Sequence, residues 1–358
     1  MRWSCHLIRP PLKDKGENMM KSILIEDVRK VKIIETPMPE RKEGEALLKI
    51  LYGGICGSDL GSYRGSFAYF EYPRIPGHEF SAEVVDVDEN NPYGIKKGMI
   101  VTGNPYYNCG QCYPCKKGNV NCCEHNETLG CQRDGAFSTY FCMPLERIYD
   151  GKGISAKSLA AVEPFCISQH GISRANINPG DRVLVVGAGT IGAFALKAAK
   201  LRGAEVTVCD VSHQKLDMAK KLGADHVILN TSDEVFNAAV AELTDGNGFD
   251  VTVECVGRAS TMQNCIDAVC FHGTVVDIGV SKQNLDFFYT IIQKKELTIF
   301  GSRNALKADF LNTIDAVKEG RLVLEDAITN VYPFDQAAQA FKDFDEHQGE
   351  MLKTLIEF

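Results

Sequence analysis

The chain reads as an α/β protein in which an irregular β domain carries an inserted domain built on a doubly wound parallel sheet. Three observations predict this. From about residue 182, strand-like runs alternate with helical ones (RVLVVG, IGAFALKAAKLRG, EVTVCD, HQKLDMAKKLGA, HVIL, DVTVECVG, GTVVDIGV, LTIFGS), and such alternation builds βαβ units. From about 20 to 160 the runs are short, β-like and punctuated by Gly, Pro and Asn (ALLKILYGGI, FSAEVVDV, MIVTG, FSTYFCM), the pattern of a compact β domain. The last stretch, QAAQAFKDFDEHQGE then MLKTLIEF, reads as a helix and a strand returning to the first domain. The expected boundaries are 20–164 and 305–358 for the β domain, with the loop 108–123 inside it, and 165–304 for the inserted domain.

Composition narrows the partners. A length of 358 residues with 44% hydrophobic content suffices for two packed cores. A formal charge of -8 argues against nucleic acid, whose affinity comes from clustered Lys and Arg. No apolar run approaches the roughly 20 residues that span a bilayer, so no membrane partner is expected. The start, MRWSCHLIRPPLKDKGEN, has cations but no continuous apolar segment and is a poor export signal. The 14 cysteines then belong in a reducing compartment, and the expected location is the cytoplasm. Residues 1–19 read as a leader outside both domains, disordered or absent from the native protein, with translation beginning at Met19 or Met20.

The motifs carry the chemistry. RVLVV runs into Gly187-Ala188-Gly189-Thr190-Ile191-Gly192, which opens a helix. Glycines there permit a tight turn and close backbone approach to a pyrophosphate, and the helix start supplies amide donors. The next strand ends at Asp210, roughly 20 residues on, where a carboxylate accepts ribose hydroxyls and repels a 2'-phosphate. The expectation is NAD rather than NADP, a preference that Lys215 could soften. Val256 and Ile278, at the ends of DVTVECVG and GTVVDIGV, are expected to line the same cofactor.

Five cysteines crowd NCGQCYPCKKGNVNCC. Cys109, Cys112 and Cys115 are spaced C-x2-C-x2-C, and one of Cys122 and Cys123 can complete four soft thiolates around one ion, the closed tetrahedral site of structural Zn2+. A second, dispersed set is GGICGSDL (Cys56, Ser58, Asp59), IPGHEF (His78, Glu79) and AVEPF (Glu163). One thiolate, one imidazole and one carboxylate are the composition of an open catalytic zinc site. Each alone has an ordinary structural explanation, and no spacing rule joins them.

Together with the four-cysteine loop and the glycine turn, these segments resemble the zinc-dependent medium-chain alcohol and polyol dehydrogenases, in order and across nearly everything from Met20 to Phe358. The resemblance implies a GroES-like catalytic domain and an inserted Rossmann domain. It implies Cys109, Cys112, Cys115 and Cys123 around a structural zinc, and Cys56, His78 and Glu163 around a catalytic one. Glu79 is the alternate carboxylate, so two zinc ions per chain are expected. Zinc there lowers the pKa of a bound alcohol, whose hydride passes to NAD. Ser58 would pass the alcohol proton outward and Asp59 would orient a ligand. Many relatives carry a His shortly after the Ser-Asp pair; this chain has Leu60-Gly61, so proton exit is expected through cofactor ribose and water.

YRGSFAYFEYPRIPGHE and Gly301-Ser302-Arg303-Asn304-Ala305 look most like bacterial hexonate dehydrogenases of the L-galactonate type. That resemblance implies a sugar-acid substrate held by Arg303, with Asn304 and Arg64 as further contacts. Neutral polyol dehydrogenases and L-threonine dehydrogenase are the alternatives, with a non-catalytic zinc-ribbon nucleotide sensor as a distant one. Relatives are dimers or tetramers, so a homo-oligomer is expected. Cys166, close behind Glu163, is a further candidate for lining the pocket.

Overall fold

The computed structural model describes residues 19–67 and 69–358. The leader expectation therefore lies outside the described residues except at Met19, which begins the first strand, Met19–Asp27. That strand pairs with Lys30–Pro37 as a hairpin.

Six parallel strands form one sheet in the order His226–Leu229, Glu205–Asp210, Arg182–Val186, Phe249–Glu254, Val269–Asp277, Thr298–Gly301. Chain order reverses beside Arg182–Val186, and in such sheets ligands gather beyond the carboxyl ends of the strands at that reversal. The central strand is Val-rich and fully buried beyond its first residue, as a strand covered by helices on both faces must be. The helix Thr190–Lys200 buries Gly192 and four alanines together with Phe194 and Leu196, and its small residues let it approach the sheet closely. A Cβ on Gly192 would lie 1.7 Å from the Gly187 carbonyl oxygen, so no larger residue fits that helix–strand contact.

The other sheet is mostly antiparallel and runs Ile328–Pro333, Lys353–Glu357, Glu45–Ile55, Glu79–Asp86, Ile100–Gly103, Ile148–Asp150, with Tyr140–Pro144 also paired to Glu45–Ile55. The chain's last strand thus lies beside the strand that leads to Cys56, Thr354 opposite Ile55. The helix before it, Ala337–Glu346, buries Ala337, Ala340, Phe341 and Phe344, an i, i+3, i+4, i+7 pattern that makes one apolar stripe. This stripe meets Ile23 and Ile25 of the N-terminal hairpin and Phe137, and each buried Phe stabilises by roughly 1.5 to 3 kcal/mol. Among the described residues, no helix is long and apolar enough to cross a membrane. Every described cysteine is a free thiol.

Candidate active site and metal centres

The sulfurs of Cys109, Cys112, Cys115 and Cys123 all lie within 4.8 Å of one another. Local backbone arranges them. Cys112 caps the short helix Tyr113–Lys116, which has Pro114 in its first turn, a position suited to proline's fixed φ and missing N–H. Main-chain amides point at the sulfurs: Cys109 N–H donates to Cys123 Sγ at 3.2 Å, Cys112 N–H to Cys109 Sγ at 3.3 Å and His125 N–H to Cys123 Sγ at 3.3 Å. Cys123 is fully buried while Cys122 is exposed, so the chain turns the former inward. Burial pushes Cys112 up, but the Glu124 and Cys115 amides outweigh it and bring the thiol to about 6. Burial and then the Cys112 and Cys123 sulfurs push Cys115 up to about 12. A site that ionises one thiol easily and resists the next is short of positive charge, and a divalent cation supplies it. The donor set fits Zn2+.

The dispersed residues also converge. Cys56 ends the strand Glu45–Ile55 and caps the helix Gly57–Arg64, and His78 and Glu79 begin the neighbouring strand. Donor atoms of Cys56, His78 and Glu79 lie within 4.8 Å of one another. Glu163 is not in that triad. It starts the helix Val162–Arg174, buried, and accepts a hydrogen bond from the Tyr106 hydroxyl. It is close enough for His78 and Glu79 to act on its carboxyl, which burial pushes up to about 7.

Around this triad the protein holds the acceptors in place. Asp59 is buried, accepts from the Cys56 amide at 2.9 Å, and has Oδ1 3.8 Å from His78 Nδ1. Ser58 Oγ is 3.5 Å from His78 Nε2. His78 Nδ1 is buried with no hydrogen-bond partner among the described residues. Burial pulls the imidazole down, yet Asp59 and Cys56 together hold it well above its ordinary range. An imidazole served this poorly by the protein, beside a thiol and a carboxylate, fits a metal ion as the missing neighbour.

Sequence reasoning missed two residues here. Lys353, from the last strand, places Nζ 2.8 and 2.6 Å from the two Glu79 oxygens and 3.1 Å from the Ile55 carbonyl. Its only signal was a lysine inside the apolar run MLKTLIEF. Tyr106, the partner of Glu163, carries no pattern at all.

At the carboxyl end of the parallel sheet, Gly187 has φ 103°, a backbone state open mainly to glycine. Its missing Cβ would meet Val256 Cγ2 at 2.5 Å, whereas nothing lies within 4 Å of where a Gly189 Cβ would stand. The open side of the turn can accept a phosphate group. Asp210 accepts from the Ala188 amide at 2.7 Å and the Ser212 amide at 2.9 Å, which fixes its carboxylate at the strand end. Thr190 Oγ1 donates to the Leu352 carbonyl at 2.7 Å. Ile191 sits half-buried behind it, its carbonyl bonded to Ser168 Oγ at 2.8 Å. Ile278 packs against Gly171. Lys215, which from sequence could soften a preference for NAD, is buried and donates to the Met351 carbonyl; burial lowers it to about 8. It presents no free cation to a 2'-phosphate.

The three residues assigned to substrate part company. Arg64 is engaged with Asp345, by Nε to Oδ1 and by Nη2 to the main-chain oxygen at 3.3 Å. The Asn304 amide donates to the Asn121 carbonyl at 3.2 Å. Arg303 forms no ion pair with any described residue, its carbonyl accepting from Asn121 Nδ2 at 3.0 Å. Cys166 does not line a pocket: it is fully buried, with Sγ 3.5 Å from Thr313 Oγ1, because its turn of the helix faces the core.

Comparison with known proteins decides the family. Residues 42–152 match the alcohol dehydrogenase GroES-like domain, and residues 190–319 match the zinc-binding dehydrogenase family. The chain is 37% identical to L-galactonate-5-dehydrogenase of Escherichia coli K12 over 325 residues, 90% of this chain and 94% of the relative. The chain belongs to the zinc-binding dehydrogenases. It is 33% identical to a sorbitol dehydrogenase of Halalkalibacterium halodurans over 330 residues, 90% of this chain and 94% of that one. Its fold is that of a short chain alcohol dehydrogenase of E. coli CFT073 solved with NADH, at TM-score 0.89 and 31% identity over 96% of this chain and all of the other. L-idonate 5-dehydrogenase of E. coli K-12 superposes at TM-score 0.85 and 26% identity, covering 95% of this chain and 98% of that one. The fold is accordingly a GroES-like domain with a Rossmann domain, the chain is an oxidoreductase, and zinc and NAD fit its two kinds of site.

Proposed function

We propose that this zinc-binding dehydrogenase oxidises a secondary alcohol of a sugar acid, a hexonate of the L-galactonate or L-gulonate type, with NAD as acceptor. The observation that carries the reading is Arg303. It follows the strand Thr298–Gly301 at the carboxyl end of the parallel sheet, and no described carboxylate pairs with it. A guanidinium stays charged at all working pH values and suits a carboxylate bidentately. The likeness to L-galactonate-5-dehydrogenase supports the same class of substrate.

In this reading Cys56, His78 and a carboxylate hold the catalytic zinc, the carboxylate being Glu79 or Glu163. Glu79 stands within the donor triad but has both oxygens on Lys353, whereas Glu163 stands outside it and gives up only a tyrosine hydrogen bond. When bound, zinc supplies Lewis acidity and NAD accepts hydride. Ser58 relays the alcohol proton, accepting it on Oγ as its own hydroxyl proton leaves toward cofactor ribose and water. Asp59 orients His78, and the Gly187 to Gly192 turn with Asp210 holds the cofactor. Cys109, Cys112, Cys115 and Cys123 hold the structural zinc. A fixed Asp210 carboxylate and an engaged Lys215 favour NAD over NADP. The location is the cytoplasm, in keeping with free thiols among the described residues. The chain assembles as a homo-oligomer, for which the unpaired sheet edge at Thr298–Gly301 and the 83% and 78% exposed Phe288 and Tyr289 before the helix Thr290–Lys295 are the surfaces on offer.

The test assays Arg303→Ala on a hexonate and on a neutral polyol of similar length. A carboxylate anchor predicts that kcat/KM falls about tenfold to a hundredfold for the acid, the loss of a charged hydrogen bond of roughly 1.5 to 3 kcal/mol, with the polyol nearly spared. Equal losses would favour a neutral polyol substrate, the reading that the sorbitol dehydrogenase likeness supports.

A further inference from the structure

Between the four-cysteine lobe and the Rossmann sheet lies a buried polar cluster that the proposed reaction does not use. Asn121 sits two residues before Cys123. One hydrogen of its amide nitrogen points to the Arg303 carbonyl at 3.0 Å and the other to His170 Nε2 at 3.2 Å. The Asn121 main-chain carbonyl accepts from Asn304 Nδ2 at 3.2 Å. His170 Nδ1 lies 3.0 Å from Asp309 Oδ2, which also accepts from the Leu306 amide at 2.7 Å and so starts the helix Lys307–Lys318. Asn121, His170 and Asp309 are all buried. One tautomer satisfies every contact: Nδ1–H donates to Asp309, and the Nε2 lone pair receives Asn121. Asn304 holds φ 52°, a left-handed state that costs a non-glycine residue about 1 kcal/mol or more and persists where surroundings fix it.

We propose that Asn121 is a positioning residue through which the four-cysteine lobe holds the loop 302–306, and with it Arg303, at the mouth of the cofactor crevice. This rests on the reading above in two respects, a metal in the lobe and a substrate at Arg303. The physical reason is leverage. The loop leaves the sheet edge after Ser302, whose amide is tied to the Asp277 carbonyl at 2.8 Å, and has no regular structure until residue 307. Beyond the strand it is fixed by the two bonds to Asn121, by Ala305 buried in the core and by the Leu306–Asp309 cap, and of these only the Asn121 bonds hold Arg303 itself and the side chain of Asn304. Asn121 lies in the single turn Val120–Cys122, a segment too short to stand without the closed cysteine site beside it. Order in the lobe is thereby order in the loop. The lobe's role then extends beyond stability to the placement of the substrate arginine.

Hydrogen exchange on the zinc-loaded enzyme tests this without turnover. In Asn121→Ala, exchange of the peptide 302–306 should rise tenfold or more, while the helix Thr190–Lys200 stays protected and the metal content stays at that of the wild type. Stripping the lobe's metal from the wild type with a thiol-selective chelator should produce the same rise, and stripping the variant should add little to it. Should Asn121→Ala lose its lobe metal, Asn304→Ala removes the second bond between loop and lobe, Asn304 Nδ2 to the Asn121 carbonyl, and should give a local rise of the same kind. Unchanged exchange at 302–306 in the metal-retaining variant, or additive effects of variant and chelation, overturns the proposal. Faster exchange with unaltered kcat/KM on a hexonate leaves the coupling standing and overturns the substrate role of Arg303 instead.

Discussion

The four-cysteine lobe and the Cys56 site both gather donors for a metal ion but are built in opposite ways. The lobe takes every thiol from one segment whose ends are 14 residues apart, with its own amides aimed at the sulfurs. The other site gathers a strand end, the start of a neighbouring strand and a helix start, and then reaches 274 residues along the chain for the lysine that pairs with Glu79. The lobe can organise as soon as its turn forms, and metal binding there is folding free energy. The dispersed site exists only after the last strand has joined Glu45–Ile55 and Glu79–Asp86 in one sheet, so its ligands can keep an open position and their geometry depends on the whole domain. A closed site is saturated by its own ligands; an open one, held from outside, keeps a position for chemistry.

Exchanging one thiol in each place should break that contrast most sharply. Cys56→Ser should abolish turnover while the fold, the melting temperature and one metal equivalent survive. Cys112→Ser should lower melting temperature and soluble yield, because it opens the closed site. Near-normal activity of the first, or unchanged stability and metal content of the second, contradicts the assignment of roles.

Lys353→Met should destabilise the protein by about 3 to 5 kcal/mol, since it strands the Glu79 carboxylate in a fully buried position. Adding Glu79→Gln should recover most of that loss. Urea unfolding measures both; a cost below about 1 kcal/mol would show that water reaches the pair.

Acidification should separate the two metals. Burial pushes Glu163 up to about 7, so it takes up a proton as the pH falls through neutrality. Against burial, Asp59 and Cys56 hold His78 above its ordinary range, whereas the lobe closes four thiolates around its ion and leaves no open position. Protons and metal compete for the same atoms, so metal retention at the dispersed site is complete at higher pH and lost first on the way down. Metal content after dialysis from about pH 8 to 6 should fall from two equivalents toward one, with activity. Simultaneous loss of both would erase the distinction. The smallest effect concerns the cofactor: Asp210→Ala should relax the preference for NAD over NADP severalfold, by removing the carboxylate that repels a 2'-phosphate, and an unaltered ratio of kcat/KM for the two would move the discrimination elsewhere.

The sequence by itself determined whatever is local. Alternating strands and helices, the glycine turn before Thr190, Asp210 at the next strand end and the cysteine spacing each depend on neighbours within a few turns, where periodicity and steric demands are written directly into residue order. Tertiary structure decided which groups stand together. It set Glu79 inside the donor triad and Glu163 outside it, engaged Arg64, Asn304 and Lys215 with protein partners, turned Cys166 into the core, and brought in Lys353, whose one trace in the sequence is its place in an apolar run, and Tyr106, which has none. Contacts between distant segments follow from the pairing of Lys353–Glu357 with Glu45–Ile55 and from the packing of two sheets, and a side chain's partner across such a contact depends on register and burial rather than on the residues beside it in the chain.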